Sequence, residues 1–375
     1  QWEQLLGEVE RLGEAAQRQE RLEATAAPQQ EPSPEPRQEG EGDPQAAVEK
    51  RAFRKWLIGG HPSLDQEERA AMASRAQALP PEVRALAVSV DTAGGYLVPD
   101  EFRRQIVQAM LWFGGMRQAR TFKFETDSGA DLAVPVSDDT GNTGARLAEN
   151  TAVGEQDVTV GQRVLKAYMY TSRLVRVSLQ LLQDSAFDVE SWLAAVLGER
   201  IGRITNTEFT LGNGGGNEPQ GVVPAATVGV TGAVGQTTSV TFDNLITLEF
   251  AVDPAYRLNG EWMMDPLTIR DVALLKDGEG RYLWQPAVTA GQPDRIRGFP
   301  VVPNGDVAVQ AASARSILFG DFSHYWIRDV RGIQLLALRE RYAEFLQVGF
   351  LAFSRHDGGL VSNAAPIQAY QNSAT

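Results

Sequence analysis

The chain has 375 residues, a formal net charge of −13 and 43% hydrophobic residues, a composition typical of a globular protein with a sizeable core. It contains no cysteine, which excludes disulfides, a thiolate nucleophile and Cys-ligated metals, and its three histidines are too far apart in sequence to suggest a metal-binding pair. The longest bulky apolar runs fall far short of the roughly 20 residues that span a bilayer, and the acidic balance argues against chain-wide binding to nucleic acid, so we expect a soluble, intracellular, acidic protein.

The first 86 residues differ from the rest of the chain and carry a net charge of −5. Apolar residues at alternating 3- and 4-residue spacing predict a short coiled coil there: Trp2, Leu5, Val9, Leu12 and Ala16. A proline-rich stretch over 28–45 predicts an extended linker, and helices are predicted at about 46–58 and 64–79. Because bulky apolar residues are too few for a separate core, we expect this region to be stable only against other subunits or a partner.

From Asp91 the composition becomes that of a folded domain. A helix is predicted at about 100–111, and strands at 118–124 and 132–136. The polar stretch that follows has almost no bulky apolar residue, and the whole of 130–172 is predicted to be a long two-stranded hairpin that projects from the body. Since an isolated hairpin is marginally stable in water, it needs a surface to lie on.

The clearest predicted helix covers 188–211, with Asp188 as its N-terminal cap. Its apolar stripe is predicted to contain Trp192, Leu193, Val196, Arg200 and Ile204.

Two more helices are predicted to begin after the capping residues Thr241 and Asp265. The chain from Ile317 onward is predicted to be mostly β, with a turn at Asp357-Gly358-Gly359. Because no regular βαβ repeat appears, the pattern indicates an α+β protein.

No group of residues predicts a reaction. The glycine run at 212–216 ends a helix instead of opening one, which is typical of a connection and not of a phosphate-binding loop. The Asp277–Gly280 segment has only half the ligands of a calcium loop and predicts a turn. Ser323 and His324 are adjacent on a predicted strand and point to opposite faces, so they do not predict a triad with Asp321, and His356-Asp357 is interpreted as a polar turn. We therefore expect no catalytic residue, metal or cofactor, and interpret the chain as an assembly subunit whose projections cover its neighbours.

Several motifs keep their order over residues 94–370, and together they resemble the major capsid proteins of tailed bacteriophages with the Hong Kong 97 fold. They are Gly94–Pro99, Leu179–Ser185, Leu211–Gly214, Pro219–Gly221, Asp271–Tyr282, Gly298–Pro303, Phe319–Phe322 and Trp326–Asp329.

The resemblance implies a domain organisation for the whole chain. Its expected parts are a scaffolding segment (1–86), an N-terminal arm (87–111), a peripheral domain with a long spine helix and a sheet (112–220 and 312–357, including the extended loop 130–172), and an axial domain (221–311 and 358–372). Subunits of this family form hexamers and pentamers of an icosahedral shell that encloses double-stranded DNA without reading its sequence. The expected location is the virion, after assembly in the bacterial host cytoplasm, and the expected partners are a portal protein and a prohead protease.

Residues are also expected for two of these roles, and the charged ones on the hairpin follow from the use of rim charge pairs to set register between subunits. Contacts between subunits are expected at Arg146, Glu149, Glu155, Tyr96 and Phe102. Proteolytic removal of the scaffolding segment is expected near Leu86, Ala87 and Asp91, which would leave a net charge of −8.

One departure from the family concerns its covalent cross-links, which join a lysine to an asparagine with the help of a glutamate. The matching positions hold Asn150 or Val153 for the lysine, and Val348 and Arg355 for the other two. None of the reactive types is present, so we expect no cross-linking and a shell held by noncovalent contacts or by a separate cement protein.

Two alternatives remain open from the sequence. The same fold would serve an encapsulin-type nanocompartment or a gene-transfer-agent shell, although the coiled coil and proline linker favour a phage. A hydrolytic enzyme is the remote alternative, because it would need a reactive set of residues that the sequence does not supply.

Overall fold

The computed structural model describes residues 44–77, 95–138, 146, 159–183, 188–284, 294–362 and 364–375. Its helices are α1 (Pro44–Gly59), α2 (Gln66–Gln77), α3 (Asp100–Phe113), α4 (Gly115–Gln118), α5 (Leu179–Gln183), α6 (Val189–Leu211), α7 (Val222–Ala225), α8 (Phe242–Ala251), α9 (Pro254–Arg257) and α10 (Pro266–Ala273). Its strands are β1 (Gly95–Leu97), β2 (Phe122–Thr126), β3 (Leu132–Asp138), β4 (Thr159–Leu165), β5 (Tyr168–Thr171), β6 (Val175–Ser178), β7 (Thr227–Thr231), β8 (Glu261–Met264), β9 (Arg295–Ile296), β10 (Phe299–Pro303), β11 (Arg315–Gly320), β12 (Tyr325–Leu338), β13 (Gln347–Leu360) and β14 (Ile367–Gln371). The chain divides into two compact units, residues 1–47 and 48–375, and the description below concerns the second.

The first sheet, sheet I, is built on the long antiparallel pair β12 and β13. Strands β1 and β2 join β12, and β5 and β6 join β13; β2 alone is parallel to its partner. The buried face of sheet I packs against α3 and α6 in one apolar core, to which Leu335, Phe350, Leu193 and Leu197 contribute.

Strand β13 continues through the segment that the sequence interpreted as a turn, so that prediction was wrong. Gly358 and Gly359 pair with Ile327 and Trp326 across the sheet. A Cβ at Gly358 would lie 2.8 Å from the Tyr325 hydroxyl oxygen and 2.9 Å from the Phe209 ring. The glycine is therefore required by close packing and not by chain reversal.

Helix α6 begins where the sequence predicted it, and the Asp188 side chain accepts a hydrogen bond from the Ser191 N–H. The predicted apolar stripe was wrong, because Arg200 and Ile204 are exposed. The buried face instead includes Leu193, Ala194, Leu197, Gly198, Ile201, Gly202, Thr205 and Phe209. A periodicity search for bulky residues gives no weight to glycine, although glycine lets another helix come close.

The close contact is between α6 and α3. A Cβ at Gly198 would lie 2.6 Å from the Ile106 carbonyl oxygen, and a Cβ at Gly202 would lie 2.9 Å from the Met110 Cα. Both atoms belong to a backbone that cannot rotate away, so any larger residue would force the two helices apart.

The second sheet, sheet II, has the strand order β7-β14-β11-β8-β10-β9 and packs with α8 and α10 around Trp262, Phe319 and Tyr370. Helices α8 and α10 begin at the predicted caps, where Thr241 and Asp265 accept hydrogen bonds from backbone N–H groups. Buried amides connect this part to α6. Asn206 accepts a hydrogen bond from the Met116 N–H at 2.9 Å and donates one to Asn304 at 2.8 Å.

Helices α1 and α2 lie where the sequence predicted helices, but their packing differs from the expectation. Instead of needing another subunit, α1 inserts Phe53, Trp56 and Leu57 into the core of sheet I within the same chain. The segment by itself has too few bulky apolar residues to form a core of its own. The core of the following domain has room for these side chains, which no property of the segment itself reveals.

The helix contact predicts the effect of a single methyl group. Replacing Gly198 with Ala should destabilise the part of the chain built on sheet I by about 1–3 kcal/mol, because the added Cβ meets the backbone of α3. Gly278→Ala is the matched control, since a Cβ there meets no atom within 4 Å. Urea unfolding followed by tryptophan fluorescence measures both, and equal midpoints for the two variants would contradict the contact.

Candidate assembly surfaces

The β3–β4 hairpin is a two-stranded sheet whose register runs from Leu132–Leu165 to Asp138–Thr159. Side chains on β4 alternate, and Val160 and Val164 lie on an exposed face. Since two strands with an uncovered apolar face are marginal in water, the hairpin needs contacts beyond its own two strands, and its exposed face is a candidate assembly surface.

The root is held by Arg328, whose side chain is fully buried. Its guanidinium donates to the Thr126 hydroxyl (3.0 Å) and the Ser128 carbonyl (2.9 Å), both of which precede β3. It also donates to the carbonyls of Leu165 (2.8 Å) and Lys166 (3.2 Å), where β4 ends. One planar side chain thus fixes both ends of the hairpin to sheet I.

Asp357 completes this root from the neighbouring strand. Its carboxylate accepts hydrogen bonds from the backbone N–H groups of Lys166 and Gly358. Burial raises the pKa of Asp357, while the two N–H groups, Arg163 and Arg328 act in the opposite direction. Burial lowers the pKa of Arg328, and the charge of Asp357 opposes that shift.

A second candidate surface, the arm surface, is the exposed side of α3 near its C-terminal end. It contains Leu111, Trp112 and Phe113, and the Trp112 side chain is 80% exposed. The Arg203 guanidinium of α6 lies 5.2 Å from the centre of the Phe113 ring. Aromatic residues and arginine are enriched at protein interfaces, which makes this surface a candidate contact with another subunit.

Other exposed apolar side chains lie at two connections. Phe345 and Leu346 are exposed between β12 and β13, where Leu346 adopts a left-handed conformation (φ 51°). Near sheet II, Leu258 is exposed beside Arg257, whose guanidinium lies 4.5 Å from the Phe250 ring centre.

The residues predicted to contact other subunits fall in different environments. Arg146 is exposed, and Glu149 and Glu155 lie outside the described residues. Tyr96 belongs to β1, where its backbone pairs with Leu335. Their contacts stay predictions.

Phe102 is the exception, because its side chain has no exposed surface. Its ring lies 4.9 Å from that of Phe53 in an edge-to-face arrangement within the same chain. A contact between Phe102 and another subunit would require α1 to leave first.

The expected cleavage and cross-link positions are only partly described. Val348 is buried in the core of sheet I and Arg355 is half-buried on β13. The following positions lie outside the described residues: Leu86, Ala87, Asp91, Asn150 and Val153.

A buried ionic cluster joins α4 to both long strands of sheet I. Arg117 donates two hydrogen bonds to the Asp329 carboxylate, each 2.8 Å. The Nδ1 atom of His356 lies 2.6 Å from Asp329 Oδ1, and its Nε2 atom lies 2.8 Å from the Ser354 hydroxyl. The cluster thus connects α4, β12 and β13. The Asp329 carboxylate at its centre is paired with the Arg117 guanidinium.

The cluster shifts the acidities of its members. Burial lowers the pKa of His356 below its ordinary value; the charge and hydrogen bond of Asp329 oppose this, and Arg117 reinforces it. Burial alone would raise the pKa of Asp329, but the charges and hydrogen bonds of Arg117 and His356 hold that pKa far below its usual range.

The order Ser354, His356, Asp329 has the connectivity of a hydrolase triad, and sequence reasoning missed it because the aspartate is 27 positions away from the histidine. Ser354 and His356 are 2% and 4% exposed, so in this structure a substrate has no route to the serine oxygen. The set considered in the sequence, Ser323, His324 and Asp321, does not form a triad either. Asp321 accepts from the Ser323 N–H, and its carboxylate is 4.0 Å from His324.

Two further sequence candidates have structural roles. Asp277 accepts hydrogen bonds from the N–H groups of Glu279 and Arg281, so this segment is a turn stabilised by its own aspartate. Across the described ranges, no three His, Cys, Asp or Glu side chains come together as a metal site. No helix in that part of the chain is long and apolar enough to cross a bilayer.

Residues 94–371 match the model of the phage capsid family. The chain belongs to the phage capsid family. Its members are structural proteins, and the fold is that of the tailed-phage major capsid proteins, as the sequence resemblance predicted.

Solved structures agree with this family. The capsid of a native gene transfer agent (GTA) particle is 27% identical, with a TM-score of 0.58 over 71% of this chain and 90% of that one. The capsid of an empty GTA particle is 25% identical, with a TM-score of 0.55 over 70% and 90%. A chain from Mycobacterium phage Cain is 16% identical, with a TM-score of 0.51 over 70% of this chain and 91% of that one. No curated protein matches the chain.

The hairpin root predicts the effect of exchanging one cation for another. Arg328→Lys keeps the charge but loses the fork that reaches both ends of the hairpin, and it leaves buried carbonyls without a donor. We expect a loss of about 3 kcal/mol in the local stability of β3 and β4, or about a hundredfold faster amide hydrogen exchange there. Arg270→Lys is the control, because Arg270 is exposed and pairs with its sequence neighbour Asp271. Unchanged exchange in β3 and β4 of the Arg328 variant would show that the clamp does not hold the hairpin.

The ionic cluster predicts a pH dependence. Because the pKa of His356 is lower in the folded chain than in the unfolded one, its contribution is complete above about pH 6.5 and is lost as the pH falls below that value. Asp329, with a depressed pKa, contributes a slope only below about pH 4. Between pH 7.5 and 5.5 the unfolding midpoint of His356→Gln should therefore fall less than that of the parent chain. His324→Gln should keep the parental slope, and the same slope in all three proteins would refute the assignment.

Proposed function

We propose that this capsid protein is the major shell subunit of a tailed phage and assembles as hexamers and pentamers into a closed icosahedral particle. The observation that carries this proposal is the hairpin, which Arg328 fixes at its root while Val160 and Val164 remain uncovered. The arm surface supports it from a second element. Covering exposed apolar side chains with a neighbouring copy contributes about 25 cal/mol of favourable free energy per Å² of apolar surface buried.

The domain assignment follows the family. We propose a peripheral domain of residues 112–220 and 312–357, with the extended loop 130–172, and an axial domain of residues 221–311 and 358–372. Residues 87–111 form the arm. In this arrangement the peripheral domain contains α6 and most of sheet I, and the axial domain contains most of sheet II.

Residues 1–86 act in this proposal as a scaffold that directs assembly from inside and is then separated by a phage protease near Leu86, Ala87 and Asp91. The family match supports this boundary, because it begins only at residue 94. The segment carries five of the thirteen net negative charges, so its removal would reduce charge repulsion inside the shell.

The remaining partners follow from the shell itself. A portal protein occupies one vertex, and noncovalent contacts or a cement protein take the place of covalent cross-links. The double-stranded DNA inside is confined and not bound tightly, since the chain is acidic. Assembly takes place in the cytoplasm of the bacterial host, and the finished location is the virion.

A gene-transfer-agent shell is the second candidate, favoured by the two GTA capsids at 27% and 25% identity. The same fold in an encapsulin-type nanocompartment would enclose a protein instead of nucleic acid. Mass spectrometry and nucleic acid sequencing of native particles separate the three: phage DNA indicates a phage, host DNA fragments indicate a gene transfer agent, and an enclosed enzyme with an intact shell chain indicates a compartment.

Electron microscopy of the overexpressed chain tests the assembly proposal. We expect closed shells from the full chain, and aberrant or absent shells from a chain lacking residues 1–43, which keeps the whole of α1 and so the core of sheet I. Fully regular shells from the shortened chain would contradict the scaffold role alone. A full chain that stays a compact monomer at high concentration would contradict the shell function itself.

The arm surface gives a point-mutation test. Trp112→Gln removes an exposed apolar side chain. It should therefore leave the free energy of unfolding of the free subunit unchanged within about 0.5 kcal/mol, while lowering the yield of shells. Gln108→Ala, at an exposed position on the same helix, should assemble normally. Light scattering and electron microscopy measure the yield, and normal shells from the Trp112 variant would exclude this surface from assembly.

A further inference from the structure

We propose that residues 48–64 are a docked part of the capsid core that stays bound to the subunit after the chain is cut between residues 77 and 95. The binding surface, here called the α1 groove, is formed by α3, α6 and the buried face of sheet I, and its occupant is α1 with the turn that follows it. This inference goes beyond the proposed scaffold role and does not depend on natural cleavage, because it concerns what the groove holds.

Burial is the first support for this inference. The side chains of Ala52, Phe53, Trp56, Leu57 and Leu64 are at most 4% exposed. They belong to one apolar cluster with residues of α3, α6, β6, β12 and β13. They lie outside residues 94–371, where the family match is found, and yet they complete the core of that region.

The aromatic contacts are specific to this occupant. The Phe53 ring meets the Phe102 ring edge to face at 4.9 Å, and Trp56 is stacked with Phe53 at a centroid distance of 6.0 Å. Part of the buried Phe102 ring would become solvent-exposed if α1 left. Such a change would oppose release by the same hydrophobic term that stabilises any core.

Arg339, at the end of β12, holds the C-terminal end of α1. Its guanidinium donates to three consecutive carbonyls: to Ile58 at 2.9 Å, to Leu57 at 2.8 Å, and to Trp56. Carbonyls in the last turn of a helix can accept hydrogen bonds from outside it, and a cation is favoured at the negative end of the helix dipole. The contact therefore recognises a helix terminus and not merely an apolar surface.

Gly60 makes this contact possible. It ends α1 with a positive φ of 75°, and its N–H donates to the Trp56 carbonyl at 2.9 Å. A Cβ at this position would lie 3.1 Å from Arg339 Nε. The Gly59-Gly60 pair, which the sequence indicated only as a helix break, thus fits a helix end to a specific arginine.

Charged pairs fix the position of α1 relative to α3 and α2. Lys50 of α1 lies 3.1 Å from Glu101 of α3, and Lys55 lies 2.9 Å from the buried carboxylate of Glu68 in α2. Glu68 also accepts the Asp65 N–H at 2.9 Å. These contacts keep α2 folded against α1, so that the two helices remain one unit when the chain beyond residue 77 is cut.

A consequence follows for processing. A single cut near residues 86–91 would break the chain but would not empty the α1 groove. Loss of this segment would instead require digestion or unfolding of α1 itself, and the departure of residues 48–64 would then uncover the Phe102 ring.

The test uses the full chain with a site for a sequence-specific protease inserted between residues 86 and 87. After cleavage of the folded protein, gel filtration in native buffer and denaturing electrophoresis show whether the N-terminal fragment elutes with residues 87–375. We expect coelution. Separation of the two fragments, with the larger one still folded by circular dichroism, would overturn the inference and leave the shell function untouched.

Variants decide what holds the fragment. Phe53→Ser combined with Trp56→Ser should cause loss of the fragment from the complex, whereas Arg54→Ser, at an exposed position on the same helix, should retain it. Retention in the double variant would mean that another part of residues 1–86 makes the contact, which also overturns the proposal.

A milder variant covers the case in which the double variant does not fold. Arg339→Gln should speed release of the cleaved fragment, and Arg341→Gln, at an exposed neighbouring position, should not. Equal release rates for these two variants and the parent chain would show that the helix-end contact does not hold α1.

Discussion

A buried guanidinium at the base of a projecting hairpin is the interaction on which this structure most depends. Arg328 donates to groups before β3 and after β4, and it stands on the longest strand pair of sheet I. A two-stranded hairpin cannot hold its own direction in water. With both ends fixed to a rigid sheet, it becomes an extension with a defined direction that can reach another molecule.

The rest of the fold makes that base rigid. Glycines in α6 allow α3 to pack at backbone contact, and the cluster of Arg117, Asp329 and His356 joins α4 to both long strands. Helix α1 then closes the same core from outside the family-matched region. Apolar side chains that this body leaves exposed, Trp112 among them, are the groups that a shell can cover with neighbouring subunits.

The sequence predicted the local features well, because they are encoded by neighbouring residues. Asp188, Thr241 and Asp265 cap the helices that follow them, and the order of the motifs along the chain was enough to indicate the correct family. Contacts between segments that are distant in sequence could not be predicted in this way. Nothing near Arg328 marks it as buried, and the partners Arg117 and His356 are 239 positions apart. The α6 stripe was predicted wrongly because glycine acts there through its lack of a side chain. The packing of α1 was predicted wrongly because the missing apolar partners lie about 50 to 300 residues downstream.

In the proposed shell, the exposed apolar side chains of the free subunit become covered by other copies. Hydroxyl-radical footprinting of Trp112, Val160 and Phe345 in free subunits and in assembled shells measures this directly. Oxidation of these three side chains should fall strongly on assembly, while that of buried Trp262 stays low in both states. Equal oxidation of the three in subunits and shells would contradict the account.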